Sequence, residues 1–185
     1  MDDKAIIDLF FDRSEQALRE LDTKYGKTCL KISHNILNNH QDAEECVNDA
    51  YLGTWNAIPP QRPNPLLTFL CRIVRNLSIM RYHANTAMKR NSAYDIALEE
   101  LEHCLSSGIT VEDEVEEKLL IQMIEEFFDT LSQDNRVIFM RRYWFSDNYA
   151  EIAQRLGTSE KAVSVRLTRI RAQLKEHLTK KGVLL

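Results

Sequence analysis

Apolar residues recur along this chain at spacings of three and four, the period of an amphipathic helix, and nowhere alternate as a half-buried strand would. Ile6, Leu9, Phe10 and Arg13 open one such stretch, which continues through Leu18 and Leu21. Leu30, Ile32, Ile36 and Leu37 carry the next. A third helix is predicted from Asp42, whose side chain suits a cap, with Glu44 and Glu45 at the positive end of the helix dipole. It turns Val47, Tyr51, Leu52 and Trp55 inward and stops at Pro59-Pro60. The prolines between Ile58 and Pro65 fix φ and remove donors, which predicts a stiff extended loop. Pro65 then sits in the first turn of a long helix running to about Ala87.

Beyond Arg90 the periodicity weakens through Ser106-Ser107-Gly108 and resumes near Val111. Leu119, Leu120, Met123, Ile124, Phe127 and Phe128 make an apolar stripe, and three more helices are predicted to begin near Ser132, Asp147 and Ser159. The expectation is an all-α protein of two small helical domains joined by an acidic linker. The boundaries expected are 1–92, 93–112 and 113–185. No run of about 18 apolar residues is present, so no membrane insertion is expected. The acidic, amphipathic start is unlike a signal peptide, and a cytoplasmic location follows as an expectation.

Charge changes the picture more than composition does. The formal net charge is only −4, but it is strongly segregated. Residues 1–57 carry 6 basic and 11 acidic side chains, and residues 58–94 carry 6 basic and none acidic. Residues 95–134 carry 1 basic and 13 acidic, and residues 135–185 carry 11 basic and 4 acidic. Two cationic blocks separated by an anionic one suggest two sites for a polyanion.

The most specific local pattern runs from Asn148 to Leu167. Ala153 is small where two helices cross, Gly157 falls where a tight turn needs positive φ, and Val163 returns an apolar side chain to the first helix. Ser159 is placed to cap the second helix, with Glu160 in its first turn. On that helix Val163, Leu167, Ile170 and Leu174 form one buried stripe. Lys161, Ser164, Val165, Thr168 and Arg169 fall on the far side, with Arg166 and Arg171 flanking the stripe. This is a helix-turn-helix with donors for base edges and phosphates, and with Val165 to touch a thymine methyl. In the segment before it, Val137, Ile138, Phe139 and Tyr143 read as core, and Arg141 and Arg142 as surface.

Asp42–Trp55, then Phe69–Leu77, then the helix-turn-helix together resemble the extracytoplasmic-function group of sigma-70-type sigma factors, in the family's order and over roughly residues 8–90 and 112–180. The resemblance implies that the first domain is sigma region 2 and the second is sigma region 4. It implies docking of the third helix on the clamp helices of core RNA polymerase, through Asp42, Glu44, Glu45, Asn48 and Asp49. The proline-rich loop would capture a base flipped from the −10 element, with Arg62 and Asn64 as the polar candidates. A preformed pocket loses less entropy on binding. Arg72, Arg75, Asn76 and Arg81 would meet the −10 region, on a helix that also offers Lys89 and Arg90, while Ile73, Val74, Leu77 and Met80 read as core; Phe69 and Tyr82 are candidates to stack on bases, with core packing favoured for Phe69. Ser159, Lys161, Ser164, Val165, Arg166, Thr168 and Arg169 would meet the −35 element. The acidic stretch would thread the polymerase's nucleic-acid channel. The chain departs from the family's pattern in its few aromatics after the loop. Any control would come from a separate partner, typically an anti-sigma protein.

Other classes fare worse. No HExxH, Gly-rich phosphate loop or GxSxG is present and the five His are scattered, so no enzyme, catalytic residue or cofactor is expected. Cys29, Cys46, Cys71 and Cys104 lie far apart, so no metal site is expected and the thiols should be reduced and structural. The alternative is a stand-alone helix-turn-helix transcription regulator that needs no polymerase-docking surface.

Overall fold

The computed structural model describes residues 1–85, 92–105 and 114–183, the side chains of 103 and 114–118 excepted. Lys89, Arg90, the Ser106-Ser107-Gly108 stretch and Val111 lie outside the described residues. Every described element is helical, and the chain divides into two compact units, Met1–Asp95 and Ile96–Leu185. The protein is all-α with two domains. No helix among the described residues is long and apolar enough to cross a membrane.

In the first unit, α1 spans Asp3–Phe11, α2 Gln16–Leu37, α3 His40–Ala57 and α4 Leu66–Ala84. The apolar stretch expected to run unbroken through Leu21 is divided between α1 and α2. Arg13 takes a left-handed φ of 53° at the break, and its guanidinium donates to the Trp55 carbonyl at 2.7 Å. The non-local bond and the ring contact with Trp55 hold a conformation that costs an L-residue about 1–2 kcal/mol. α2, α3 and α4 pack on one another around Leu21, Ile32, Ile36, Leu70 and Val74, with α1 adding Ile6 and Phe10. Each such side chain contributes about 1.5–3 kcal/mol through burial. The small residues Ala43, Cys46 and Ala50 form the buried face of α3.

Three local expectations are corrected. Asn39, not Asp42, caps α3, accepting from the Asp42 N–H at 3.1 Å. Leu52 does not turn inward but is 59% exposed. Met80 is not core either: it is 67% exposed on the outer face of α4.

In the second unit, α6 spans Glu114–Thr130, α7 Gln133–Phe139, α8 Tyr149–Leu156 and α9 Glu160–Lys180, with a π turn over Met140–Trp144. α5, Ala93–Cys104, lies within the expected linker, yet from Ala97 onward it packs into this unit's core through Ala97, Leu101 and Leu105. Phe127, Ile138, Ile152, Val163, Leu167, Ile170 and Leu174 complete that core. The apolar period of α6 to α9 is what assembles them.

Candidate nucleic-acid interface

The helix-turn-helix is built by three local devices. The Asn148 side chain accepts from the Glu151 N–H while Glu151 reaches back to the Asn148 N–H, both at 2.9 Å, a reciprocal capping box that starts α8. Gly157 ends α8 at φ 62°, a conformation open to glycine without penalty. Ser159 caps α9, accepting from the Ala162 N–H at 3.2 Å. Val163, Leu167, Ile170 and Leu174 are all buried, which fixes the rotation of α9.

That rotation puts the predicted reading residues outside. Ser159, Lys161, Val165, Arg166, Thr168 and Arg169 are exposed, and Ser164 is half-buried. Val165 is 41% exposed between Lys161 and Arg169, an apolar spot in a cationic surface. Arg166 lies 3.9 Å from Asp134 on the rim, a separation at which the pair contributes little.

Arg141 and Arg142, expected at the surface, are not there. A π turn carries one extra residue, so the side chains of Met140–Trp144 are displaced from their α-helical positions. Arg142 is 3% exposed and forks onto the Glu100 carboxylate, and Arg141 pairs with the buried Asp147 at 2.5 Å. Burial opposes the Glu100 charge, but Arg142, Tyr149 and Arg171 outweigh it and hold its pKa below the ordinary glutamate value.

The predicted cations of the first unit are more engaged. Arg62, in the proline-rich loop, pairs with Asp8 at 2.9 Å and lies 3.8 Å from the centroid of the Phe11 ring, which pins the loop to α1. Asn64 is exposed. Arg72 and Asn76 are exposed on α4, with Met80 and His83 continuing the stripe. Arg75 is half-buried beside the Tyr94 ring, and its burial lowers its pKa. Arg81 pairs with Glu45 at 2.7 Å and with Asp42 at 3.6 Å, and Asn85 donates to Asp42 at 3.0 Å. Residues expected on two separate surfaces are thus tied into one network joining α3 to α4. Glu44, Asn48 and Asp49 stand exposed on α3. Beside them Leu52 and Trp55 line a shallow groove with Leu18 and Arg19 of α2.

Sequence reasoning missed Met80, His83 and Leu52 as surface residues. The stripe of 72, 76, 80 and 83 was available from helical spacing, but a methionine in an apolar run reads as core. No group of residues able to hold a metal occurs among the described residues.

An all-α protein with a helix-turn-helix and a cationic reading helix is of the DNA-binding class. Two family descriptions match: "Sigma-70 region 2" over residues 21–87 and "Sigma-70, region 4" over residues 121–174. The probable RNA polymerase sigma factor RfaY of Xanthomonas campestris pv. campestris is 26% identical over 167 residues, which cover 89% of this chain and 41% of that protein. The chain therefore spans about two fifths of the length of that curated relative. A solved structure of CnrH in complex with the cytosolic domain of CnrY is 18% identical with a TM-score of 0.44, covering 96% of this chain and 97% of that one. The chain belongs to the sigma-70 family, with region 2 in its first unit and region 4 in its second.

Proposed function

We propose that this chain binds core RNA polymerase and directs initiation at promoters, reading a −35 element with α9 and a −10 element with the loop and α4. The observation that carries the reading is the outer face of α9. Lys161, Val165, Thr168 and Arg169 stand exposed opposite a fully buried stripe, which is what a major-groove helix needs. In the first unit, Arg72 and Asn76 offer donors on the outer face of α4 and Met80 adds an apolar contact, while Arg62 and Asn64 belong to the loop and Arg75 and Arg81 to other faces of α4. The acidic face of α3, with Glu44, Glu45, Asn48 and Asp49 exposed beside the Leu52–Trp55 groove, suits a basic partner helix. Asp42 is the least exposed of that set. Control by a separate anti-sigma protein follows from the family resemblance.

The test is transcription in vitro with bacterial core polymerase, with and without this protein, on a genomic promoter library. The expected outcome is discrete new start sites preceded by two shared elements at fixed spacing. Co-purification with core enzyme but no new starts would instead mark an adaptor. Tight binding to duplex promoter DNA without any association with polymerase would favour the stand-alone regulator.

A further inference from the structure

Glu100, on α5, places one carboxylate in a cradle of five donors. Arg142 donates from Nη2 at 2.7 Å and Nε at 3.2 Å, and Arg171 from Nη1 at 3.1 Å. The Tyr149 and Tyr143 hydroxyls donate at 2.9 and 3.2 Å. The donors come from the π turn, the first turn of α8 and the middle of α9, so the helix-turn-helix itself builds the cradle. One guanidinium fork, a second guanidinium N–H and two phenols fit a tetrahedral oxyanion as well as they fit a carboxylate.

The helix that brings the carboxylate is lightly attached. α5 adds one fully buried side chain to the core, Ala97, with Leu101 and Leu105 only partly buried. Its far end rests on a contact from Cys104 Sγ to the Arg171 carbonyl at 3.1 Å. The cradle also adjoins the reading face. Arg171 Nη2 reaches Thr168 Oγ1 at 3.2 Å, and Arg142 Nη1 holds the Asp147 carbonyl at 3.0 Å, one residue before the α8 cap. Helix starts of this kind meet the DNA backbone in helix-turn-helix proteins.

We propose that this cradle is a phosphate site of the helix-turn-helix, that it takes a backbone phosphate of duplex DNA, and that Glu100 fills it in the free protein as a stand-in for that phosphate. The proposal rests on the reading of the second unit as DNA-binding. DNA is favoured over an acidic peptide because the cradle runs on through Thr168 into the exposed Lys161 and Arg169 surface, along which a second phosphate or a base edge can be met. The acidic helix α5 is then a displaceable lid, and full contact with DNA requires its withdrawal.

The experiment uses the full chain and a fluorescent duplex of random sequence, since phosphate contacts carry no sequence information. Affinity is measured across a salt series for the wild type, E100Q, R171A and the double variant. E100Q keeps polar partners for the arginines but loses the charge, and it should bind about 5-fold tighter or more. Its plot of log affinity against log salt should steepen by about one, the mark of one added phosphate contact. R171A alone should change little, and in the E100Q background it should cancel the gain. Leu101→Ala, which loosens α5 and leaves the cradle whole, should also tighten binding, so the proposal stays testable if E100Q folds poorly. In thermal melts, inorganic phosphate should stabilise E100Q more than the wild type.

Unchanged DNA affinity in E100Q and Leu101→Ala, with no phosphate response, would make Glu100 an internal strut and overturn the proposal. A phosphate response without tighter DNA binding would assign the cradle to an acidic segment of a partner and overturn it as well. Failure of every variant to bind duplex, with Lys161→Ala and Arg169→Ala also without effect, would remove the DNA reading itself and the proposal with it.

Discussion

On α9, Lys161 and Arg169 stand exposed beside Val165, whereas in the first unit Arg62, Arg75 and Arg81 each lie against an acid or an aromatic ring. Both regions are rich in cations, and charge counting along the chain treats them alike. The difference lies in what those cations do in the free protein. In the first unit they tie elements together, the loop to α1 through Arg62 and α3 to α4 through Arg81. An engaged cation must give up its partner before it meets a phosphate, and an exposed one need not. The second unit is therefore expected to lead in binding duplex DNA. The first is expected to wait for conditions that compensate the loss of its internal pairs, such as docking of a basic polymerase surface on Glu45.

The sharpest way to break this comparison lies among the second unit's own engaged cations, at Arg142. Arg142→Ala leaves Glu100 partly buried with one guanidinium fewer and should cost about 3 kcal/mol or more. Thermal unfolding should report this as a lower melting temperature of the second unit. Loss confined to DNA binding, with melting unchanged, would mean that Arg142 serves the phosphate site alone and ties nothing together in the free protein. Next in size, Lys161→Ala and Arg169→Ala should each weaken recognition of a −35 element by about 1–3 kcal/mol while leaving polymerase association intact. Transcription from promoters sharing that element, alongside co-purification with core enzyme, reads both quantities. Reduced association in either variant would move these residues to the polymerase surface.

Acid separates the units by a smaller step. Because its folded pKa is lowered, Glu100 contributes stability that is fully present above the ordinary value near 4.5 and is lost as pH falls through the folded value. Melting of the second unit should therefore drop below that pH, and E100Q should flatten the dependence. An unchanged profile in E100Q would mean that other carboxylates carry it. The smallest effect distinguishes Arg81 from Arg72. Arg81→Ala should cost under about 1 kcal/mol of stability, as exposed pairs do, while Arg72→Ala, which loses only an exposed contact with the Phe69 ring, should cost less and chiefly lower the use of the −10 element. Chemical denaturation paired with transcription assays resolves the two, and equal behaviour would erase the contrast between engaged and exposed cations on α4.

What was legible in the sequence was what short-range chemistry determines. The turn at Gly157, the cap at Ser159 and the stripe of Val163, Leu167, Ile170 and Leu174 each depend on residues within one or two helical turns, and all three are present in the fold. Arg141 and Arg142 were misplaced because a π turn has no apolar period of its own to announce it. Arg81 and Glu45 lie 36 positions apart, and Glu100 lies 71 from Arg171, so only the packing of helices brings these pairs together. Leu52 and Met80 failed for the opposite reason: an apolar side chain in an apolar run reads as core, yet Leu52 lies across α3 from the buried Ala43, Cys46 and Ala50, and Met80 follows Arg72 and Asn76 on the outer face of α4. The acidic run after Asp95 looked like a tether because charge hid the few apolar contacts by which α5 is attached.

The π turn also sets a limit on chain length. One residue of an α-helix advances the rotation by about 100°. Deleting a single residue between Met140 and Trp144 would let the turn close as an ordinary α-helical one, with the flanking segments near their present register but the side chains inside the turn shifted by roughly that angle. Arg142 and Tyr143 would swing off the cradle, and Asp147 would leave Arg141. The stretch from Ser132 to Asn148 therefore tolerates changes of residue type far better than a change of length, whereas the loop around Asn64, exposed on the surface, admits insertions more readily.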